Sequence, residues 1–292
     1  MRRSDLRDFL RSRRGRVTPA EAGLPVGSGL RRVPGLRREE VAQLAGISVD
    51  YYVRFEQGRI PHVSDAVLDA LVRILGLTPT ERSYLFELTR TRSGPRRPPA
   101  SDGQPGRGLL LLLTHLSTPA FVLDRRLDVL AVNRPARLLH QGLTVNGNYL
   151  RWLMLDSRSR NVWVDWDVAA TEVIAMLRLN RARHSHDGGL VRLVDELATA
   201  SREFRRIWDA HEVDAPTNGE RRFRHALVGD LVFHAQRLEV SNDSGQVLFT
   251  YSVIPGSDSE AGLRRLVRTA ASTTSFRTRR GNGDQPLPRS DR

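Results

Sequence analysis

Apolar residues recur at helical spacing in five short stretches of residues 1–92, and none of these stretches shows the alternation of a strand. Ser4, Ser48 and Ser64 precede three of them as helix caps, and Thr78–Glu81 forms a capping box before another. The pattern predicts an all-α N-terminal domain of about five helices. The inward faces consist of Leu6, Phe9 and Leu10; Val41, Leu44 and Ala45; Tyr52 and Phe55; Val67, Leu71, Ile74 and Leu75; and Tyr84, Leu85 and Leu88.

The longer segment that follows mixes strand and helix patterns. Apolar runs on both sides of Asp124–Arg126 predict a β-hairpin, and helices are predicted to begin at Pro135, Tyr149 and Asp165 and to cover 190–208. A sheet packed against helices can enclose a small-molecule cavity, so an α+β domain is expected here. The predicted strands cover residues 121–123, 127–132, 222–227, 231–240 and 246–254.

Segments rich in Pro, Gly and Ser mark the boundaries between these parts. Residues 14–35 are predicted to form an extended loop, and SGPRRPPASDGQPGRG (93–108) has the composition of an interdomain linker. The final GNGDQPLPRSDR has too few apolar residues to fold. The predicted organisation is a helical domain at 1–92, a linker at 93–108, an α+β domain at 109–272 and a disordered tail at 273–292.

The composition excludes several classes of protein. The chain of 292 residues contains no cysteine, so disulfide frameworks and thiolate metal sites are ruled out. No segment has the roughly 18–20 apolar residues that a membrane span requires, and the arginine-dense N-terminal residues do not resemble a signal peptide. We therefore expect a cytoplasmic protein that does not bind membranes.

The net charge of +13 indicates an anionic partner. Its distribution is uneven, because residues 1–108 hold 20 arginines against 12 acidic residues, a net charge of +8. All 46 basic residues are arginines, whose planar guanidinium groups pair with phosphate in a bidentate way. Charge alone is a weak signal, and it favours nucleic acid only when a motif supports it.

Such a motif lies in LRREEVAQLAGISVDYYVRFEQGR (36–59), where two short predicted helices are separated by Gly46-Ile47-Ser48. This is the arrangement of a helix-turn-helix unit. Val41-Ala42, Gly46-Ile47-Ser48 and Phe55-Glu56-Gln57-Gly58 resemble the pattern of the XRE (Cro-like) helix-turn-helix family. The resemblance implies that the second helix of the unit is a recognition helix that enters the major groove of double-stranded DNA.

A narrower resemblance covers most of the chain. RRVPGLRREEVAQLAGISVDYYVRFEQGR is similar to the MmyB-like branch of bacterial regulators, in which a DNA-binding head precedes a PAS-like ligand-binding domain. The resemblance implies a transcriptional regulator whose second domain can accommodate a fatty-acid-like molecule. It continues in PAFVLDRRLDVLAVNRPARLL (119–139), DWDVAATEVIAMLR (165–178), LVDELATASREFRRIW (193–208) and FRHALVGDLVF (223–233).

The position of the motif in this family assigns candidate base contacts to the exposed N-terminal face of the recognition helix. Arg54 can donate to guanine O6 and N7 together, and Val49 can contact a thymine methyl group. Asp50 can accept from cytosine N4, although in the first helical turn it also satisfies the helix dipole. The full set is Ser48, Val49, Asp50, Tyr51 and Arg54.

Four residues beside the two helices are candidates for phosphate contacts. Arg37 and Arg38 stand at the start of the first helix, where a phosphate would meet backbone N–H groups and two guanidinium groups. Gln57 and Arg59 follow the recognition helix and can fix its register on the DNA backbone. The alternative is that all four are solvated surface residues. Because one small head contacts few base pairs, a homodimer on a two-fold related site is expected.

Asn133 and Arg137 stand four residues apart where a predicted strand enters a helix, and they are candidates for the polar anchor of a small apolar ligand. Trp152, Trp163 and Trp166 are candidates for the walls of its cavity. The alternative is that Asn133 caps its helix, that Arg137 pairs with a surface acid, and that the tryptophans fill the core. No cofactor is expected.

An enzyme is the less favoured interpretation. His184-Ser185-His186-Asp187 offers two imidazoles and a carboxylate, but it lies in a polar, Gly-rich segment between predicted helices. No Gly-x-Ser-x-Gly turn, HEXXH pair or phosphate-binding Gly loop accompanies it. A second alternative stays open, in which the C-terminal domain serves only dimerisation or the recruitment of a partner.

Overall fold

The computed structural model describes residues 2–25, 34–60, 62–89, 103–213, 218–240 and 245–279, and within these ranges the side chains of residues 4–269. Contacts between residues divide the chain into two compact units. Unit 1 comprises Met1–Ala100, Arg125–Leu127 and Asp167–Pro216; unit 2 comprises Ser101–Asp124, Asp128–Trp166 and Thr217–Arg292.

A helical N-terminal region precedes a region of strands and helices, which confirms the predicted fold class. The helices, in chain order, are α1 (Arg2–Arg16), α2 (Arg38–Leu44), α3 (Val49–Glu56), α4 (Asp65–Ile74), α5 (Pro79–Thr89), α6 (Arg107–His115), α7 (Arg134–Leu139), α8 (Tyr149–Leu155), α9 (Ser157–Val162), α10 (Trp166–Arg183), α11 (Gly188–Ala200), α12 (Arg202–Asp209) and α13 (Asp258–Arg279). The strands are β1 (Ala120–Leu123), β2 (Val129–Val132), β3 (Gly219–His225), β4 (Gly229–Glu239) and β5 (Val247–Ser252).

The five N-terminal helices of unit 1 form where the apolar pattern predicts them, but the prediction that Ser4 caps the first is wrong, because α1 begins at Arg2 and Ser4 lies inside its first turn. Ser48 and Ser64 cap α3 and α4, because each side chain accepts a hydrogen bond from a backbone N–H three residues ahead. The inward side chains, such as Phe9, Tyr52 and Leu71, are almost completely buried in one apolar core. α1 ends at Arg16, so its last turn occupies the start of the predicted loop at 14–35.

Helices from the middle of the chain belong to the same unit. Ala182 of α10 and Val213, which follows α12, are buried in the apolar core of the N-terminal helices. The predicted helix over 190–208 is in fact two helices, α11 and α12. Ser201 separates them because its backbone is extended and its side chain caps α12 by accepting from Phe204 N.

One buried arginine joins these helices to the N-terminal ones, and a second joins two of them to each other. Arg13 of α1 lies 2.6 Å from the carboxylate of Glu81 and donates to the carbonyl of His211 at 2.7 Å. Arg178 of α10 donates to the carbonyl of Trp208 and lies 4.1 Å from the centre of its indole ring. Each arginine is only 2% exposed. Buried guanidinium groups need such partners, so these contacts hold the helices of unit 1 in one arrangement.

The centre of unit 2 is an antiparallel sheet in the order β2-β1-β5-β4-β3. Its two faces differ in chemistry. Ala120, Val122 and Leu248 lie on the face that packs against Leu113 of α6. The neighbouring positions in each strand point the opposite way and form an aromatic face. That face carries Phe121, Phe223, Phe233, Phe249 and Tyr251.

Several helices of unit 2 were not predicted. α6 begins at Arg107, inside the predicted linker. The sequence did not predict it because its unbroken run of leucines has no helical periodicity. α13 continues to Arg279, inside the predicted tail at 273–292. Residues 90–102 of the linker region and 280–292 of the tail lie outside the described residues. In the described part of the chain, no helix combines the length and the apolar character needed to span a membrane.

The Arg13–Glu81 pair gives a prediction about unit 1. Arg13→Ala should lower the free energy of unfolding by about 3–5 kcal/mol, because it leaves the buried Glu81 carboxylate without its cation. Arg11→Ala is the matched control, since Arg11 is exposed on the same helix, and it should change stability by less than about 0.5 kcal/mol. Urea denaturation of both variants measures the difference. Equal stability of the two variants would contradict a structural role for the pair.

Candidate DNA-binding surface and ligand sites

The helix-turn-helix geometry rests on the short connection between α2 and α3. Gly46 has a φ of +67°, a left-handed conformation that a residue with a Cβ adopts only under strain. Ser48 then begins α3, with its side-chain oxygen 3.1 Å from Tyr51 N. Tyr52 and Phe55 are buried beneath the helix, as the pattern predicts. The opposite side of α3 is therefore left facing solvent.

The predicted base-reading residues lie on this solvent side. Ser48, Val49, Asp50 and Arg54 are exposed, and Tyr51 is half-buried. Val49 is 43% exposed, so its apolar side chain is open to solvent at the first position of the helix. Asp50 and Arg54 stand one turn apart, with Oδ2 and Nη1 separated by 3.9 Å. A pair this long and this exposed contributes little to stability, so Arg54 can exchange Asp50 for another acceptor at small cost.

The four predicted phosphate-binding residues have different environments. Arg37 and Arg59 are exposed. The backbone N–H of Arg37 donates to Glu40 at 2.6 Å, which caps α2. Arg38 is half exposed and its Nε donates to Glu56. Gln57 is half-buried, and its Oε1 is buried without a hydrogen-bond partner among the described residues.

Glu56 is a structural residue of this surface that sequence reasoning missed. Its carboxylate is completely buried and accepts from Nε of Arg14, at 3.3 Å, and from Nε of Arg38. Arg14 also donates to the carbonyl of Leu36 at 2.7 Å. These bonds join α1, the segment before α2 and the end of α3. The available signal was that Glu56 follows Tyr52 by four positions and so shares its inward face.

In unit 2, the hydrogen bonds of Asn133 are those of a cap. Its Oδ1 accepts from the backbone N–H groups of Ala120 and Ala136, each at 3.0 Å. Its Nδ2 donates to the carbonyls of Leu116, at 3.2 Å, and Thr118, at 2.8 Å. The side chain fixes the start of α7 beside β1, which is the alternative that the sequence left open for it.

Arg137 is exposed at the edge of a groove of about 500 Å³ on the α6 face of the sheet. The floor of the groove is aliphatic, and Arg134 also lies at its edge. None of the three predicted wall tryptophans lines it. The apolar part of the lining consists of Leu110, Leu113, Leu116, Leu130, Ala131, Val132, Pro135 and Val145.

The tryptophans lie on the other face of the sheet. Trp166 is fixed, since its Nε1 donates to the carbonyl of Leu153 at 3.0 Å and the guanidinium of Arg160 stacks 3.8 Å from its ring centre. Trp152 and Trp163 belong to a set of rings that surrounds one imidazole, that of His140. The structure therefore does not bring the predicted anchor and the predicted walls into one site.

We call this set the His140 cluster. His140, the C-cap of α7, is completely buried, and the other ring centres lie 5.3–6.3 Å from its own. Its Nδ1 lies 3.1 Å from the carbonyl oxygen of Ala136. Sequence reasoning missed His140, since a single histidine after a helix gives no signal by itself. The other members are Phe121, Tyr149, Trp152, Trp163, Phe223 and Tyr251.

The segment considered for an enzyme has a structural role in unit 1. Asp187 caps α11 by accepting from Gly189 N, and it also binds Arg125 and Arg126. Burial would raise the pKa of Asp187, but the hydrogen bonds from the two arginines and Gly189 outweigh it and hold the pKa well below its usual range. Within the described ranges, no group of three or more His, Asp or Glu side chains is placed to hold a metal ion.

Comparison with known proteins agrees with the two parts of the fold. A family model described as a helix-turn-helix domain matches residues 5–85. Together with the sheet-containing second domain, this defines the class of transcription regulators with a DNA-binding head. The model of the MmyB-like transcription regulator ligand binding domain matches residues 106–266, more than half of the chain. The chain belongs to this MmyB-like family, and the resemblance is confirmed. No curated protein matches it.

Burial of His140 leads to a prediction about acid stability. Burial lowers its pKa to about 4, against the opposing effect of the Ala136 carbonyl. The unfolded chain binds a proton there near pH 6.5 and the folded chain only near pH 4, so stability is lost as the pH falls through this window. Between pH 7 and pH 4.5, His140→Phe should lose about 2–3 kcal/mol less stability than the wild type.

Urea denaturation at the two pH values measures this difference. His115→Phe is the matched control, because the exposed His115 also contacts the carbonyl four residues before it. That control should lose as much stability on acidification as the wild type does. A His140→Phe variant with the same acid sensitivity as the wild type would contradict a buried neutral imidazole.

Proposed function

We propose that the protein is a sequence-specific DNA-binding transcriptional regulator and not an enzyme. The observation that carries this proposal is the solvent face of α3. It presents Val49 and Asp50 at the exposed start of a helix and Arg54 one turn further along the same face, and the other side of the helix is held by the buried Glu56. In a helix-turn-helix unit the exposed face of the second helix contacts base edges in the major groove.

Arg54 is the proposed main reader. Among the described residues its guanidinium has only a long, exposed contact with Asp50, and it can form two parallel hydrogen bonds to guanine O6 and N7. Asp50 then either orients Arg54 or accepts from a cytosine N4. Val49 offers an apolar surface to a thymine methyl group, and Ser48 and Tyr51 are placed at the edge of the same face.

Arg37 and Arg59 are the main proposed phosphate contacts, because both side chains are exposed and accessible to the DNA backbone. Arg38 has a shared role, because its Nε holds Glu56 while its side chain stays half exposed. Gln57 can donate to a phosphate through its amide nitrogen. Together with the net charge of +8 over residues 1–108, these residues support attraction to the DNA backbone.

For the C-terminal domain we propose that it binds a small, largely apolar ligand that alters DNA affinity. The family assignment supports this, and so do the His140 cluster and the aliphatic groove beside Arg137. A ligand changes DNA affinity only if it favours one arrangement of the protein over another. The alternative role in dimerisation is favoured by Leu111 and Leu112 of α6, which are 51% and 49% exposed.

The experiment that tests DNA recognition is a genomic pull-down with the full-length protein. We expect enrichment of fragments that share one sequence motif. Recovery of fragments in proportion to their length, with no common motif, would contradict sequence-specific binding.

Replacement of single arginines should separate base reading from phosphate binding. Arg54→Ala should weaken binding to an enriched site by about 1–3 kcal/mol and leave binding to random DNA almost unchanged. Arg37→Ala should weaken both to a similar extent and reduce the slope of affinity against salt by about one. Fluorescence anisotropy titrations at several salt concentrations measure these effects, with Arg11→Ala as the control outside 36–59. The assignment is wrong if Arg54→Ala weakens both DNAs equally.

We also expect a homodimer on DNA. One head covers few base pairs, so strong discrimination requires two heads on a two-fold related site. The enriched motif should contain two half-sites about one helical turn apart. Light scattering on the free and the DNA-bound protein gives the number of chains. A single chain in both states would rule the dimer out.

A further inference from the structure

Three buried polar atoms of the His140 cluster have no hydrogen-bond partner among the described residues. They are Nε2 of His140 and Nε1 of Trp152 and Trp163. All three residues are at most 7% exposed. A buried polar atom without a partner is unfavourable, and most such atoms in folded proteins are satisfied. Three such atoms, one on the imidazole of His140 and two on indoles packed against it, therefore indicate that a molecule binds there.

The bonding roles of the three atoms follow from their chemistry. Nδ1 of His140 faces the Ala136 carbonyl, which can only accept, so Nδ1 carries the proton. Nε2 of the neutral ring is then an acceptor. An indole nitrogen can only donate, so Trp152 and Trp163 provide two donors. The cluster thus has two donors and one acceptor to satisfy.

The cluster contains no ionised side chain. Its members are one imidazole and six aromatic rings, and burial keeps that imidazole neutral. Arg237 lies on the same face of the sheet, opposite Phe249, but its guanidinium is paired with Glu239 at 3.0 Å. A carboxylate placed among these rings would therefore lose its hydration without gaining a free cation from this pair. Arg137, the predicted anchor for a carboxylate, lies at the groove on the other side of the sheet.

From these observations, and resting on the proposed ligand-binding function, we propose the chemical class of the ligand. The His140 cluster binds an uncharged molecule with a planar apolar body that offers an acceptor to the indoles of Trp152 and Trp163 and a donor to Nε2 of His140. A phenol-type hydroxyl meets both requirements with one atom, and a carboxamide meets them with two. A fatty acid in its ionised form does not.

The rings of Trp163 and Phe223 are in direct contact, with centres 4.2 Å apart, so a ligand does not insert between these two. Trp152 also lines an open pocket of about 500 Å³ next to Leu143 and Asn148. This pocket gives a small molecule a path to one wall of the cluster.

Three matched probes test the proposal on the full-length protein: phenol, toluene and benzoate. Toluene has the shape of phenol without its hydrogen-bonding atom, and benzoate carries a charge. The four tryptophans give four indole N–H signals in a nitrogen-15 NMR spectrum, which Trp→Phe variants assign. Phenol should shift the signals of Trp152 and Trp163, leave that of Trp208 in place, and bind at least about ten-fold more tightly than toluene.

Variants then test the role of His140. His140→Phe should weaken phenol binding about ten-fold without weakening toluene binding, whereas His115→Phe should change neither. Trp163→Phe is a second variant, with the same expected loss for phenol, in case His140→Phe does not fold. Equal affinity for phenol and toluene, tighter binding of benzoate, or unmoved signals of Trp152 and Trp163 at saturating phenol would overturn the proposal.

The same experiment separates this proposal from the proposed function. If benzoate or toluene binds and phenol does not, the domain is a ligand-binding domain with a different chemistry. If none of the three probes binds, and a panel of fatty acids and other apolar metabolites shifts neither thermal stability nor DNA affinity, ligand sensing itself loses its support. DNA recognition is unaffected by either outcome, because the genomic pull-down measures it without a ligand.

Discussion

The buried carboxylate of Glu56 fixes the direction in which α3 faces. A carboxylate without water must be paired, and Arg14 and Arg38 pair it from two other parts of the head. As a result α1, the segment before α2 and the end of α3 cannot move independently. The arginines of the N-terminal helices therefore have two roles. Arg14 and Arg38 stabilise the packing of the helices by pairing with Glu56, whereas Arg54 is exposed on the solvent face of α3.

The second domain separates two chemistries on the two faces of one sheet. Alternation along β1 sends Ala120 and Val122 to the aliphatic α6 face and Phe121 to the His140 cluster. The aliphatic face has arginines at the edge of its groove, and the aromatic face encloses polar atoms that lack partners within the described part of the chain. The predicted anchor Arg137 therefore stands on one face, whereas Trp152 and Trp163 of the predicted walls stand on the other.

Local patterns predicted the helix-turn-helix unit and most strands, because caps such as Ser48 and Ser64 and the alternation of strands act over a few residues. Contacts between distant parts of the chain could not be predicted in this way. Neither the burial of Arg13 and Arg178 nor the pairing of Glu56 has a local signal, since their partners are far away in sequence. The leucine run of α6 and the break at Ser201 show a second limit. Hydrophobic periodicity does not identify a helix in which every position is apolar, as in α6. It also does not reveal that a cap such as Ser201 divides a continuous helical pattern into two helices.

If Arg54 reads guanine from the exposed face of α3, as we propose, its contact includes N7 in the major groove. Methylation interference at guanine N7, on a DNA site enriched by the protein, measures this contact. We expect methylation of one guanine in each half-site to block binding of the wild type, and Arg54→Ala to bind methylated and unmethylated sites equally at that position. Interference that is absent in the wild type, or unchanged in Arg54→Ala, would show that Arg54 does not read guanine.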